Sequence, residues 1–169
     1  DYVLQSAKQL FSITANMVPF LPSDQANRAG MATRQMEQAI SLKNREAPLV
    51  QAASGHSNKE LNTWDKIVGK LNSHKSPVAG TVTSVTAQRI LVKDSQGKSH
   101  SVPLYDNFPL NDKKAFITSS PTVSKGDSIK KGQTLADTNF TKDGTLALGK
   151  NLKVGYLAYH GLNSNDAVV

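Results

Sequence analysis

The hydrophobic and polar positions divide the chain into stretches of different texture. Residues 5–20 mix apolar and small polar side chains at spacings that suit one side of a helix, although Ile13 and Thr14 suit a strand equally well. A turn bracketed by Pro19 and Pro22 follows. Residues 41–50 indicate a loop leading into a short strand, and 51–60 a flexible connection. From about Trp64 the pattern changes to short alternating runs, which are typical of β-strands. We therefore predict a mainly β fold with a short α-helical N-terminal part.

One helix is predicted to begin near Asp24 and to end at about Ala39. Ser23 or Asp24 is the expected N-cap, because a short side-chain oxygen can accept hydrogen bonds from the first free backbone N–H groups. Arg28 then falls in the first turn, where free N–H groups and a guanidinium together suit a phosphate. A surface ion pair with Asp24 is the alternative role for this arginine.

The β-rich part contains several predicted strands separated by turn residues, at 76–85, 88–92, 101–104, 115–118 and 134–136. Gly126 and Gly132 flank a short step with an apolar centre, which predicts tight backbone turns at both glycines. Further on, residues 153–159 are predicted to form an apolar strand buried on both faces. Residues 166–169 are expected to begin another element.

Composition limits the classes of function that need to be considered. Only 38% of the 169 residues are hydrophobic, which indicates a chain that buries part of its surface against neighbours. The net charge of +7 favours nucleic acid or another polyanion as a partner. The absence of cysteine excludes disulfides, zinc–thiolate sites and cysteine nucleophiles. The sequence begins at Asp1 without a basic and apolar leader, so we expect a segment of a longer protein or a split subunit.

Two motifs, far apart in the sequence, carry a family resemblance. The first lies in residues 19–39 and reads PFL, then Asp24, then ANRA around Arg28, then Met31 and a terminal QA. The second reads LALGKN at 146–151 and GLNSND at 161–166. In this order they resemble the second large subunit of multisubunit DNA-dependent RNA polymerases, the family of the bacterial β subunit.

The resemblance implies a fold and a division of the chain. Residues 1–60 would be a helical segment and the first part of an active-centre barrel. Residues 61–145 would form a barrel-sandwich-hybrid-like insertion, and 146–169 the return strand of an incomplete double-psi β-barrel. The strand motif that starts at Pro77 and the glycine-flanked step that starts at Val123 are similar to those of biotinyl and lipoyl carrier domains, which share the hybrid fold.

The resemblance also implies a nucleotidyltransferase that works as an assembly. The chain would belong to a DNA-directed RNA polymerase in the cytoplasm of a bacterium or of a phage-infected host. Its partners would be the β′-like subunit, the remaining β segments, template DNA, RNA product and nucleoside triphosphates, with no membrane. The main Mg²⁺ ligands would lie on the other large subunit, so the isolated chain is expected to be inactive.

Three site residues follow from the resemblance. Arg28 would bind the phosphates of the incoming nucleotide. Asn165 and Asp166 would occupy the position of an acidic pair near the second Mg²⁺, so Asp166 would assist that ion indirectly. Here an amide replaces the first carboxylate. Glu37 is a second departure, because the family usually has a basic residue there. Both departures favour a divergent member, viral rather than cellular.

Two non-catalytic alternatives remain open. The chain could be a barrel-sandwich-hybrid binding or adaptor module. A carrier of that kind needs a modifiable lysine with Met or Ala beside it, and Lys93, Lys98, Lys113 and Lys114 lack that context. The chain could also be a phage structural or scaffold protein. That alternative explains the low hydrophobicity but leaves the two motifs unexplained.

Overall fold

The computed structural model describes residues 3–4, 6–110, 115–165 and 167–169. The chain is mainly β with a few helices, as its pattern predicts. The helices are two short 3-10 helices, Ala7–Leu10 and Leu21–Ser23, and three α-helices, α1 Ile13–Asn16, α2 Ala26–Glu37 and α3 Trp64–Asn72. The strands are β1 His74–Lys75, β2 Gly80–Val85, β3 Arg89–Asp94, β4 Ser99–Pro103, β5 Phe108–Pro109, β6 Phe116–Ile117, β7 Ser119–Pro121, β8 Ser128–Ile129, β9 Thr134–Thr138, β10 Thr141–Lys142 and β11 Thr145–Leu146. None of the helices in the described ranges is long and apolar enough to cross a bilayer.

Two antiparallel sheets share one hydrophobic core. The larger sheet has the order β4-β3-β2-β8, and the smaller one has the order β1-β9-β7. Ile90 and Val92 of β3 and Leu135 of β9 are fully buried between them. The other core members are Val82, Val102, Leu104, Ile129 and Ala136. Alternating side chains of β3 place one face of the larger sheet inside, as the period-two pattern predicts. In β9 the four consecutive residues 135–138 are all buried, so this strand is covered on both faces.

Glycine is required at specific points of this core. Gly126 and Gly132 both have left-handed φ angles, of 99° and 80°, which confirms the tight turns predicted on either side of the buried Ile129. Gly80 pairs with Asp94 at the start of β2. A Cβ at Gly80 would lie 2.1 Å from the carbonyl oxygen of Lys93, so a side chain there would disrupt the β2–β3 pairing.

A two-residue hairpin closes the β-rich part. Asp143 and Gly144 connect β10 to β11 with φ angles of 53° and 72°, as in a type I′ turn. The buried Asp137 holds this turn, since its carboxylate accepts hydrogen bonds from the N–H groups of Asp143 (2.7 Å) and Gly144 (3.0 Å) and from the Thr141 hydroxyl (2.8 Å). Helix α3 packs directly on the hairpin at Gly69.

Three predictions about which segments form strands are wrong. Residues 41–50 form no strand, and Glu46 makes only an isolated bridge there. Residues 64–72 are helical rather than β: Thr63 caps α3 by accepting a hydrogen bond from the N–H of Lys66, and Asp65 in the first turn is favourable for the helix dipole. Residues 153–159 form no strand and are exposed, with Tyr156 99% accessible. A strand needs a neighbour for its backbone groups, and within the described ranges no strand lies beside this segment.

Candidate functional site

The first candidate residue lies at the start of α2. The helix begins one residue later than predicted, because the backbone of Gln25 is still extended, with ψ 140°. Gln25 is therefore the N-cap in place of Ser23 or Asp24, and it makes no side-chain capping bond.

The helix ends at Glu37, close to the predicted Ala39. Glu37 accepts a hydrogen bond of 2.8 Å from the Thr14 hydroxyl, which ties α1 to α2. The Glu37 carboxylate, which stands where the family usually has a basic residue, therefore has a hydrogen-bond partner on α1.

Arg28 is exposed in the first turn of α2. Its backbone N–H donates to the Asn27 side chain at 3.0 Å, and its guanidinium approaches the Met31 sulfur at 4.0 Å. The ion pair with Asp24 that the sequence allows is absent from the described part of the chain. The guanidinium is therefore available to an anion in solution, at the helix end that favours negative charge.

The two residues proposed for metal assistance lie in the C-terminal turn region. Asn165 is exposed and adopts a left-handed backbone with φ 53°. Asp166 lies outside the described residues. Within the described ranges, Arg28 and Asn165 do not contact each other through a hydrogen bond. No group of three acidic or histidine side chains capable of holding a metal occurs in the same ranges.

Sequence reasoning missed Asn163, which organises the turn before Asn165. Its side-chain oxygen accepts a hydrogen bond from the N–H of Tyr159 at 2.8 Å, and its side-chain amide donates to the carbonyl of Leu157. The Ser164 hydroxyl adds a bond of 2.9 Å to the carbonyl of Gly161. Asn side chains commonly replace backbone partners in turns, so a motif rich in Asn, Gly and Ser was the available signal.

Glu46 links the loop at 42–46 to the LALGKN motif at 146–151, and sequence reasoning did not identify it. Its carboxylate accepts hydrogen bonds from Lys150 Nζ at 2.6 Å and from the backbone and side-chain nitrogens of Asn151, each at 3.2 Å. Backbone bonds run alongside, from Leu42 to the Leu148 carbonyl (2.8 Å) and from Glu46 to the Gly149 carbonyl (2.7 Å). The LALGKN motif is thus held against a segment about a hundred residues earlier in the sequence.

These donors make Glu46 an unusually strong acid. The hydrogen bond from Lys150 contributes most, and the bonds from Asn151 add to it, so the pKa of Glu46 falls to about 2 from 4.5. A lowered pKa means that the folded state favours the ionised carboxylate.

We expect a pH dependence of stability from this carboxylate. Its contribution should be fully present above pH 4.5 and be lost as the pH falls towards about 2. Glu46→Gln removes the titrating group, so the stability advantage of the natural chain over this variant should shrink across that window. Urea unfolding of both proteins from neutral to acidic pH measures the difference. A constant difference would mean that the hydrogen bonds to Glu46 do not lower its pKa in the folded chain.

A second anchor connects the same regions. Arg45 donates from Nε to the carbonyl of Thr141 at 2.8 Å, and its Nη2 reaches the carbonyl of Thr138. The guanidinium thus bridges two backbone positions at the end of β9 and the start of β10. Because Arg45 precedes Glu46 directly, the loop at 45–46 contacts both the β-rich part and the LALGKN motif.

Comparison with known proteins gives consistent matches. The family model described as RNA polymerase Rpb2, domain 6, matches residues 75–169. The chain is 35% identical over 171 residues to the DNA-directed RNA polymerase subunit beta of Mycoplasmopsis pulmonis, covering all of this chain and 13% of that protein. The corresponding proteins of Dehalococcoides mccartyi and Fusobacterium nucleatum are 34% and 32% identical over 169 residues, again across the whole chain. The chain spans 13–14% of the length of these curated relatives.

Proposed function

Because the chain belongs to the RNA polymerase Rpb2, domain 6, family, we propose that it is part of the β-like subunit of a DNA-directed RNA polymerase. In this proposal it contributes to the active-centre barrel that performs template-directed RNA synthesis. The observation that carries the proposal is the alignment of the entire chain with polymerase β subunits at 32–35% identity. Template DNA, RNA product and nucleoside triphosphates would be its ligands, and the β′-like subunit and the other β segments its protein partners.

The contacts near the two ends of residues 61–145 support the proposed domains. Residues 1–60 and 146–169 would form parts of a double-psi β-barrel, and 61–145 a barrel-sandwich-hybrid-like insertion. The isolated pairings Ala53 with Thr63 and Glu46 with Gly149 bring the two ends of the insertion near the same segment. Between those ends, two sheets pack on one core, as an independent inserted unit requires.

The exposed apolar side chains support a role within an assembly. Tyr156, Leu152 and Val154 are 99%, 77% and 70% accessible, in a segment without secondary structure. The apolar run that predicts a buried strand at 153–159 would then acquire its neighbours from other parts of the polymerase. Burial of such side chains favours association, because it removes apolar surface from water.

Three residues take roles in this proposal. Arg28 would contact the phosphates of the incoming nucleotide, for which its exposed position at the start of α2 is suitable. Asp166 would act near the second, nucleotide-associated Mg²⁺, and Asn165 beside it would contribute no negative charge. Mg²⁺ bridges phosphate oxygens and neutralises charge during phosphoryl transfer. The ion would be held mainly by the other large subunit.

A magnesium titration of the assembled polymerase tests the proposal. Asp166→Asn should raise the Mg²⁺ concentration for half-maximal RNA synthesis, because it removes the only formal charge of the pair. Asn165→Glu restores an acidic pair and should lower that requirement or leave it unchanged. Both effects should shrink at saturating Mg²⁺, since they act on ion binding.

The isolated chain is the control for this experiment. It should make no RNA with template, nucleotides and Mg²⁺, because the main ligands of the metal would be missing. Template-dependent synthesis by the isolated chain would contradict the proposed assembly. An unchanged magnesium requirement in Asp166→Asn would remove the metal-proximal role and leave Asp166 with a structural one, such as a helix cap.

A further inference from the structure

A small cavity lies between the end of α2, the start of α3 and the LALGKN motif. Its volume is about 270 Å³ and Asp65 is one of its lining residues, so we call it the Asp65 cavity. Pockets for drug-sized molecules usually measure about 300–1,000 Å³, so this cavity suits a smaller group. The other lining residues are Met36, Glu46, Pro48, Leu146, Leu148, Gly149, Lys150 and Asn151.

Asp65 contributes a buried carboxyl group that lacks a partner. The residue is 5% exposed, and its oxygen Oδ2 has no hydrogen-bond partner within the described ranges. The ion pairs of those ranges do not include it either. A buried charge without a counter-charge costs free energy, because it has lost its hydration without a replacement. A cation in the cavity would offset that cost.

The lysines nearest to Asp65 in sequence or in the cavity bond to other groups. Of the described residues that line the cavity, Lys150 is the one cation, and its Nζ lies 2.6 Å from the Glu46 carboxylate. Lys66 follows Asp65 on α3, but its Nζ donates to the carbonyl of Lys59 at 3.0 Å. The cavity therefore holds two carboxylates against one ammonium group. This local excess of negative charge, on a chain with a net charge of +7, favours a cation as its ligand.

The two carboxylates of the cavity differ in their pKa values. Burial raises the pKa of Asp65 above 3.8, and the hydrogen bond from its own backbone N–H lowers it by less. The pKa of Glu46 is instead lowered to about 2, chiefly by the hydrogen bond from Lys150. Glu46 thus already has its donors in the folded chain, whereas the charge of Asp65 is uncompensated.

The remaining lining residues define the ligand further. Met36, Leu146 and Leu148 are half-buried and apolar, so a ligand would bury an aliphatic arm against them. One buried oxygen without a partner requires one donor, which an ammonium group supplies. A guanidinium is suited better to two free carboxylate oxygens, which it binds through two parallel N–H groups.

We propose that the Asp65 cavity binds a primary ammonium group on a short aliphatic arm, with the ammonium at the Asp65 carboxylate. Free alkylamines and the lysine side chains of other polypeptide segments both supply this group. The cavity shares no residue with Arg28, Asn165 or Asp166, so it is separate from the proposed nucleotide contact. Binding by the isolated chain is expected whether or not the chain acts in a polymerase.

Titration of the intact 169-residue chain with n-butylammonium chloride tests the proposal. Backbone amide signals in heteronuclear NMR spectra should shift at Asp65 and at 146–149 and should reach saturation, which gives Kd. The neutral analogue n-butanol should bind at least about tenfold more weakly, because it supplies no charge. This comparison uses the unmodified chain, so it does not depend on the folding of a variant.

Two variants assign the binding to the carboxylate. Asp65→Asn keeps the size of the side chain and removes its charge, so it should weaken butylammonium binding at least about tenfold and leave butanol binding unchanged. Glu60→Gln is the matched control, since it removes the same charge from a side chain that is 71% exposed and does not line the cavity. Its affinity for butylammonium should stay within about twofold of the natural chain, because solvent screens an exposed charge.

The assembled polymerase distinguishes the two sources of the ammonium group, and this comparison alone rests on the proposed function. Saturation-transfer NMR measures butylammonium binding by the assembled enzyme with the natural sequence and with Asp65→Asn. Weaker binding by the Asp65→Asn enzyme would assign a free amine to the cavity. Equal binding by the two enzymes, together with binding by the isolated chain, would assign a lysine of another segment.

Three results of the titration would overturn the proposal and leave the proposed polymerase role untouched. Equal affinities for butylammonium and butanol would mean that the cavity selects only for apolar character. Equal affinities in Asp65→Asn and Glu60→Gln would mean that binding follows the net charge of the chain. Tighter binding of n-propylguanidinium than of butylammonium would mean that the cavity selects a guanidinium and not an ammonium group.

Discussion

Gly69→Ala is expected to lower the free energy of unfolding by about 2 kcal/mol, even though alanine is the better helix former. A Cβ at this position of α3 would lie 2.4 Å from the carbonyl oxygen of Gly144, 2.6 Å from the Thr145 Cα and 2.7 Å from the Leu146 nitrogen. All three atoms belong to the backbone of the hairpin turn and of β11, so none can rotate away. The helix and the hairpin must separate, which exposes apolar surface at their interface.

Gly30→Ala supplies a matched control on the other long helix. A Cβ at Gly30 meets nothing within 4 Å. Only the conformational preference of the helix then matters, and this variant should gain about 0.5–1 kcal/mol. Urea unfolding gives the change in the free energy of unfolding for each variant. The same Gly→Ala substitution should destabilise the chain at position 69 and stabilise it at position 30. Equal shifts at the two positions would show that α3 does not pack on the hairpin as described.

The sequence pattern predicted those parts of the fold in which local signals and packing agree. Alternation placed Ile90 and Val92 on one face of a strand, and both are fully buried. The glycines at 126 and 132 adopt the left-handed angles that their spacing suggests. Local preference and burial act in the same direction at these positions, so the sequence alone was sufficient.

The missed features depend on contacts between distant residues. Helix α3 had a local signal in Thr63 and Asp65, which strand-like residues further on obscured. The interaction of Glu46 with Lys150 and Asn151 spans about a hundred residues, and no local pattern indicates it. Residues 153–159 read as a strand because of their apolar content, yet a strand forms only where another lies beside it.

The residues of the candidate site, like the elements of the fold, could be predicted from the sequence only in part. The resemblance singled out Arg28, and the structure leaves its guanidinium exposed and without an ion pair in the described ranges. Asn165 is exposed in a turn, while Asp166 lies outside those ranges. The Asn-, Gly- and Ser-rich motif signals a turn before them, but spacing alone does not single out Asn163, since its bonds depend on the local path of the chain.

The second large effect concerns Arg28 in the assembled polymerase. Arg28→Ala should reduce kcat/KM for the incoming nucleotide about ten- to a hundredfold, because a charge-assisted contact to phosphate contributes about 1.5–3 kcal/mol. Arg28→Lys should recover only part of the loss, since an ammonium cannot reproduce the two parallel hydrogen bonds of a guanidinium. Stability should hardly change, because the side chain is exposed and, among the described residues, its guanidinium approaches just the Met31 sulfur, at 4.0 Å.

Arg34 provides the control on the same helix. It is exposed, carries the same charge and lies six residues after Arg28 in α2. Arg34→Ala therefore reports any general effect of removing positive charge from this helix. The comparison isolates the position at the helix N-terminus, where free backbone N–H groups add to the attraction for phosphate.

The most direct test of a place in the polymerase active centre is the nucleotide kcat/KM of purified, assembled enzyme carrying Arg28→Ala or Arg34→Ala. Single-nucleotide addition on a defined template at saturating Mg²⁺ gives this value for each enzyme. We expect a loss of about ten- to a hundredfold for Arg28→Ala and less than about twofold for Arg34→Ala. Equal nucleotide kinetics in the two variants would contradict this expectation and would leave Arg28 as an ordinary surface residue.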